Sequence, residues 1–329
     1  MKTVWEEADW RQIEGEMRQR ALQTGDAEKA WRLIVLQSRA VMRAYSSSFF
    51  VVSRFLPARK RDMVEIIYAN VRYPDEVVDT FKLSPSERLG RLDEWQAFFE
   101  VGLKEKDLIA ALGRGVPCFL AAFIEVLRLK RIPPDYYRAF LNAMRRDIHP
   151  PVYGTLDDLI NSYIYGSAVV VGYFLTHIYG PATPEDFPRA LESARNLAIG
   201  LQLTNFLRDV AEDQRQGRVY LPQDYLRAEG IEKMDTADPA QQSAVVRVVK
   251  RIAKEAESFY RDAEQGLDAF AEDSRIAIKA CIDVYRLLND RILRSERGLN
   301  HRESVPLREK LKPLPYSKFW KIPLAYLTK

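Results

Sequence analysis

The chain is poor in cysteine and histidine. Of its 329 residues only Cys118 and Cys281 are cysteines, far apart and outside any CxxC spacing. That excludes a disulfide framework and a cysteine zinc site, and it is the usage expected of a reducing cytoplasm. The three histidines, His149, His177 and His301, are scattered, which excludes the common histidine-rich transition-metal sites, so any metal should be held by oxygen. A charge of one sign is also missing. Fifty basic and 46 acidic side chains leave a net +4, too mild and too mixed to argue for nucleic acid. There is no repeat, no low-complexity tract, no Gly-rich phosphate-cradling motif and no convincing alternating strand run. The opening "MKTVWEEADW" lacks the basic-then-apolar layout of a secretory signal. Residues 159–184 contain no Asp, Glu, Lys or Arg, but Asn, Ser, Tyr and Gly interrupt the apolar run, and it reads as a buried central helix rather than a membrane span.

What remains is helical pattern. Hydrophobic residues make up 47%, ordinary for a folded soluble protein, and apolar residues recur at spacings of three and four over 28–44, 61–80, 88–102, 117–129, 187–215 and 243–295. Breaks fall at Pro57, "RIPPD" (131–135), "HPPVYG" (149–154), "GPATPED" (180–186) and "GRVYLPQD" (217–224). Thr155 ahead of Asp157 and Asp158, and Thr183 ahead of Glu185 and Asp186, mark helix starts where acids favour the positive end of the dipole. The expected architecture is all-α, one domain over 1–329: an N-terminal helical extension (1–34), a core (35–300) and a basic, aromatic tail (301–329).

Two stripes carry chemistry. On a helix over 61–80, Tyr68, Arg72, Asp75 and Asp79 fall at steps of four, three and four and share one face. Pro74 interrupts this run, and a kink is expected there. On the second helix, Gln202, Asn205, Asp209 and Asp213 align in the same way amid Leu201, Leu203, Phe206, Leu207 and Val210. Either stripe alone reads as a solvated acidic face. Together they predict two opposed DxxxD helices, whose carboxylates repel one another unless cations sit between them. Hard Mg2+, with Mn2+ as an alternative, answers that need, and it is typically held by one or two carboxylates plus substrate phosphate oxygens. Arg72 and Arg208 are then candidates for neutralising phosphate; Arg208 is expected to turn away from the adjacent Asp209, with a structural ion pair as its alternative role.

These residues resemble the squalene and phytoene synthases, the head-to-head branch of the trans-prenyl diphosphate synthases. The resemblance covers most of the chain. "SSSFF" (46–50) looks like the family's S-[KR]-S-F segment and "YANVRYPDEVVDT" (68–80) like its first aspartate-rich motif. "YIYGSAVVVG" (163–172) is similar to its Y-x-Y-x-x-A-G-x-x-G helix, and "QLTNFLRDVAEDQRQGRVYLP" (202–222) matches the second aspartate-rich motif nearly throughout. Departures are Ser47 for a usual Lys or Arg, Glu76 for the common second Asp, Val169 for a usual Gly, and Pro74.

The resemblance implies an isoprenoid synthase fold with a central cavity. Its metal ligands would be Asp75, Asp79, Asn205, Asp209 and Asp213. Its substrate contacts would be Ser46, Ser48, Phe49, Arg72, Tyr165, Gln202, Asn205, Arg208, Tyr285 and Arg302. Catalytic roles would fall to Tyr68, to the four aspartates and to Tyr163, as a hydroxyl assisting proton transfer. The implied reaction condenses two prenyl diphosphates through a cyclopropylcarbinyl diphosphate. A small Ser53 favours geranylgeranyl substrates and phytoene; farnesyl diphosphate to squalene, dehydrosqualene or presqualene diphosphate is the alternative. NADPH is not expected, though not excluded. Carbocations need a dry channel and aromatic faces, for which Tyr45, Phe49, Tyr68, Tyr163 and Tyr165 are candidates. A class I terpene cyclase and a non-catalytic assembly or lipid-binding relative are the rival readings. The expected protein is cytoplasmic, a monomer or homodimer, and binds no nucleic acid. Its tail, "KLKPLPYSKFWKIPLAYLTK", suits peripheral contact with a membrane.

Overall fold

The computed structural model describes residues 5–312 and 314–327. Among these residues there is no strand, only an isolated bridge between Pro181 and Phe270. The chain begins with α1 (Glu7–Thr24), opened by a capping box between Glu6 and Asp9, and α2 (Ala27–Tyr45), capped by the Asp26 carboxylate. Ser46 caps α3 (Ser47–Ser53), and α4 (Ala58–Asp79) follows Pro57. Next come α5 (Pro85–Lys104), with a Ser84–Glu87 capping box, α6 (Leu108–Gly113), α7 (Cys118–Lys130) and α8 (Pro134–Ile148). Thr155 caps α9 (Leu156–Leu159), which runs through a π-helical stretch, Ile160–Val169, into α10 (Val170–Tyr179). The rest is α11 (Phe187–Arg215), α12 (Gln223–Ala228), α13 (Pro239–Gln265), α14 (Glu272–Arg294), α15 (Leu307–Leu311) and α16 (Lys318–Leu327).

Three of the differences from the sequence pattern have a plain physical reason. α8 lies between two proline-rich breaks and was not expected. Pro134 opens it without cost, because the first helical position has no N–H bond to lose, and it buries Tyr137, Phe140, Leu141 and Met144. The long pattern over 243–295 divides at Gly266, where a β-carbon would stand 2.6 Å from Ser193 Cβ; α13 and α14 reverse across a turn that periodicity alone does not register. α4 stays helical through Pro74. The ring removes one backbone bond, but Tyr73 stacks on Trp95 at 4.2 Å and meets Trp10 edge-on at 5.6 Å, so tertiary packing holds the turn.

The chain divides into two compact units. The first contains the residues up to Ile148, His177–Tyr179, and the chain from Trp320 onward. α4 is its axis, packed by α2, α5, α7 and α8. On α4, fully buried Glu65 bonds the buried Arg54 guanidinium and Arg39 Nε, the latter at 3.2 Å. α1 is stapled to the start of α7: the Glu14 carboxylate accepts from Cys118 N at 2.7 Å and Phe119 N at 3.3 Å, and Arg18 donates to the Gly115 and Val116 carbonyls. Burial pushes the Glu14 carboxyl upward against those bonds.

The second unit spans His149–Thr176 and Gly180–Phe319, with the 29-residue α11 against α13, α14 and the π-helical stretch. Gly200 lets α11 approach α13 closely; a β-carbon there would sit 3.0 Å from Tyr260. The Tyr260 ring is fully buried, with its hydroxyl 2.7 Å from Thr204 Oγ1. The continuous helix Leu156–Tyr179 is long and apolar enough to cross a membrane, but half of its apolar window is buried inside the protein. Ile164, Val170 and Phe174 are fully covered, the behaviour of a core helix.

Candidate active site

In the first unit, α4 aligns Tyr68, Arg72, Asp75 and Asp79 as its spacing requires. Arg72 bonds both Asp75 and Glu76, and its guanidinium lies 4.5 Å over the Tyr45 ring. Glu76 is completely buried, and the Tyr45 hydroxyl donates to it at 3.4 Å. The Asp75 side chain keeps 34% of its surface, yet loss of water around the carboxyl dominates. That loss outweighs the attraction of Arg72 and, joined by repulsion from Asp79, Glu76 and Asp147, pushes Asp75 up to about 7. Phe49 and Tyr68 bring their rings within 6.1 Å. The Ser46 hydroxyl bonds Tyr68, whose own hydroxyl burial drives above the ordinary tyrosine range. Ser48 lies on α3 next to Phe49. Ser53 is buried, and its hydroxyl is committed to the Phe50 carbonyl at 2.9 Å and to Arg54 at 3.0 Å.

In the second unit, Gln202, Asn205, Asp209 and Asp213 lie on α11, partly exposed, between buried Leu203, Phe206, Leu207 and Val210. Arg208 does not turn away from Asp209. Its long side chain folds back so that Nε bonds Oδ1 at 2.9 Å and Nη2 bonds Oδ2 at 2.5 Å. Arg302 reaches the same carboxylate at 2.7 Å. Burial alone would raise the Asp209 carboxyl, but the two guanidiniums outweigh it and hold it below the usual range. Tyr285 is buried on α14, within electrostatic reach of Tyr260, and Tyr165 stands half open on the π-helical stretch.

Tyr163 is buried in an aromatic cluster that the sequence pattern did not single out. Tyr220 stacks on it at 5.2 Å and on Phe206 at 4.0 Å, Tyr153 lies 6.0 Å away, and the Tyr220 and Tyr163 hydroxyls are 3.4 Å apart. Tyr220 belongs to the "GRVYLP" turn, which Arg218 N ties back to the Asp213 carbonyl at 2.9 Å. A small cleft is lined by Phe206, Val210, Asp213, Arg218, Tyr220 and Met234. The other addition is Asp147. It is buried at the end of α8 and acts on Asp75, and only the unpredicted helix brings it there.

The donors suit a hard cation. They are oxygens, and the carboxylate repulsion that adds to desolvation in raising Asp75 is what a divalent cation relieves. Among the described residues, no three acid, cysteine or histidine side chains close on one point.

The helical architecture is that of the isoprenoid synthases. A solved dehydrosqualene synthase bound to a ligand superposes with a TM-score of 0.73 over 92% of this chain and 99% of that one, at 22% identity. A squalene synthase from Alicyclobacillus acidocaldarius superposes with 0.64 over 83% and 95%, also at 22% identity. The squalene/phytoene synthase family model matches residues 42–309. The 15-cis-phytoene synthase of Enterobacter agglomerans is 33% identical over 272 residues, covering 82% of this chain and 90% of that protein. The phytoene synthase of Arthrospira platensis is 30% identical over 294 residues, covering 85% and 91%. The chain therefore belongs to the squalene/phytoene synthase family, a family of prenyltransferases.

Proposed function

We propose that this enzyme joins two geranylgeranyl diphosphates head to head, through a cyclopropylcarbinyl diphosphate, to give phytoene. The observation that carries this reading is the second aspartate stripe on α11, with the Arg208 and Arg302 guanidiniums on Asp209, in a chain whose phytoene synthase relatives align over most of its length. Asp75 and Asp79 on α4, and Asn205, Asp209 and Asp213 on α11, are the residues that would hold magnesium; when bound, the metal would supply Lewis-acid stabilisation of a diphosphate leaving group, worth several kcal/mol. Arg72, Arg208 and Arg302 take up the remaining negative charge, exchanging their carboxylate partners for phosphate oxygens. Gln202 orients the diphosphate from one turn before Asn205, and Ser46 and Ser48 bind it from the start of α3. Tyr68 and Phe49 present ring faces that tolerate migrating positive charge, as does the Tyr163 cluster. The buried Tyr163 hydroxyl accepts or relays the proton lost at the end, so no reductant is consumed.

Purified protein with Mg2+ is incubated separately with geranylgeranyl and farnesyl diphosphate, with and without NADPH, and the products are analysed by mass. The expected result is phytoene from the C20 substrate, unchanged by NADPH. A C30 hydrocarbon as the main product, or a cyclised diterpene, overturns the reading.

A further inference from the structure

A helix rich in large apolar side chains normally buries them, and α16 buries only some of its own. Its ten residues, "KFWKIPLAYL", include no acid. One face is accounted for. Ile322 and Ala325 are buried, Tyr326 meets Phe50 edge-on at 5.1 Å beneath the Arg43 guanidinium, and the Lys321 ammonium lies 5.5 Å over the Phe55 ring. The opposite face carries Phe319, Trp320, Pro323 and Leu324, which a helix brings onto one side by steps of one and four. Phe319 is 68% exposed, Trp320 61% and Leu324 59%, and Tyr316, just before the helix, is 83% exposed. No other stretch of the described chain concentrates large exposed apolar side chains in this way.

We propose that this outer face docks on a bilayer carrying anionic lipid. Charge selects the occupant. From residue 310 to the end the sequence has five lysines and no acid, so two copies of the segment face to face would set like charges together, whereas anionic headgroups attract each lysine. Size points the same way. Four side chains on a ten-residue helix fall well short of the roughly 800 Å2 per partner that a stable protein interface needs. Trp and Tyr beside Lys is the composition of an interfacial helix lying at headgroup depth. The inner face keeps α16 seated on α2 and α3 while the outer face is in lipid, so docking requires no unfolding. A bilayer is also where substrates and a product with long prenyl chains reside, but the surface does not depend on that reaction.

The test is flotation of the full chain with phosphatidylcholine vesicles, with and without phosphatidylglycerol, for the wild type and for F319S/W320S/L324S. Far-UV circular dichroism and the melting temperature control for folding. The wild type is expected to float with the anionic vesicles, to release at high salt, and to lose at least about tenfold of its partitioning in the triple variant. Its tryptophan emission should shift to the blue on binding, and W320F should lose that shift. Equal flotation of a folded triple variant, or binding that ignores lipid charge and salt, overturns the proposal. So does a wild-type dimer, by light scattering, that the variant converts to monomer, since that outcome assigns the face to a second copy.

Discussion

Replacing Glu65 by Gln tests whether a buried charge network pins the first acidic helix in place. Glu65 is wholly buried and Arg54 retains only 4% of its side-chain surface. Burial already lowers the Arg54 pKa, and Glu65 is the largest influence opposing that. The amide leaves a buried guanidinium with the Phe50 carbonyl and Ser53 hydroxyl as acceptors but without its nearest full counter-charge. Breaking such a pair by removing one partner costs about 3–5 kcal/mol, and the amide's remaining oxygen argues for the lower end. With an unfolding entropy of about 2 cal/mol/K per residue, a 3 kcal/mol loss lowers the melting temperature by roughly 4 °C if the whole chain melts together, and by about twice that if the first unit melts alone. Scanning calorimetry at neutral pH distinguishes these cases. Glu65→Leu combined with Arg54→Met, which removes both charges, should recover most of the loss. A Glu65→Gln shift of under about 1 °C, or a double variant no better than the single one, refutes the reasoning.

Other expectations follow from the same geometry. Asp75→Asn and Asp209→Asn should each lower turnover on geranylgeranyl diphosphate by more than about a hundredfold with near-native melting curves; near-normal product formation in either would contradict the metal assignment. Asp75 should also matter to stability in metal-free buffer. Its folded carboxyl is raised to about 7, so the folded chain holds a proton that the unfolded chain releases, and this contribution, full in acid, is lost as pH rises through about 7. With EDTA present, Asp75→Asn should therefore melt higher than the wild type at pH 8, by a margin that narrows toward pH 5. Gly200→Ala forces a methyl against the buried Tyr260 ring and should destabilise by about 1–3 kcal/mol in urea titration. Tyr163→Phe should lower turnover while leaving KM for the diphosphate within about threefold, because its hydroxyl is assigned to the proton step rather than to binding.

The stripes on α4 and α11 were legible because helical spacing is local: steps of three and four place Asp75 with Asp79, and Asp209 with Asp213, on one face whatever lies opposite. The capped start at Thr155 and the bounds of α11 were legible for the same reason. Asp147 and the Tyr220–Tyr163–Phe206 stack were not, since their partners are distant in sequence and only packing brings them together. Arg208 shows where local reasoning reverses itself. Successive helical positions diverge by about 100°, which predicts separation from Asp209, yet a long flexible side chain crosses that angle when a desolvated carboxylate is the nearest acceptor. The reversal between α13 and α14 escaped because apolar periodicity continues across it.

The way α1 grips α7 bears on where this enzyme can be cut. The family-model match begins at residue 42, inside α2, and a chain trimmed to that point would shed Glu14 and Arg18. The first amides of α7 would lose their carboxylate, and Trp10 would leave a hollow among Tyr45, Tyr73 and Phe119. The border of the family match is not a border of folding, and the leading helix is a keystone of the first unit although it lies outside that match.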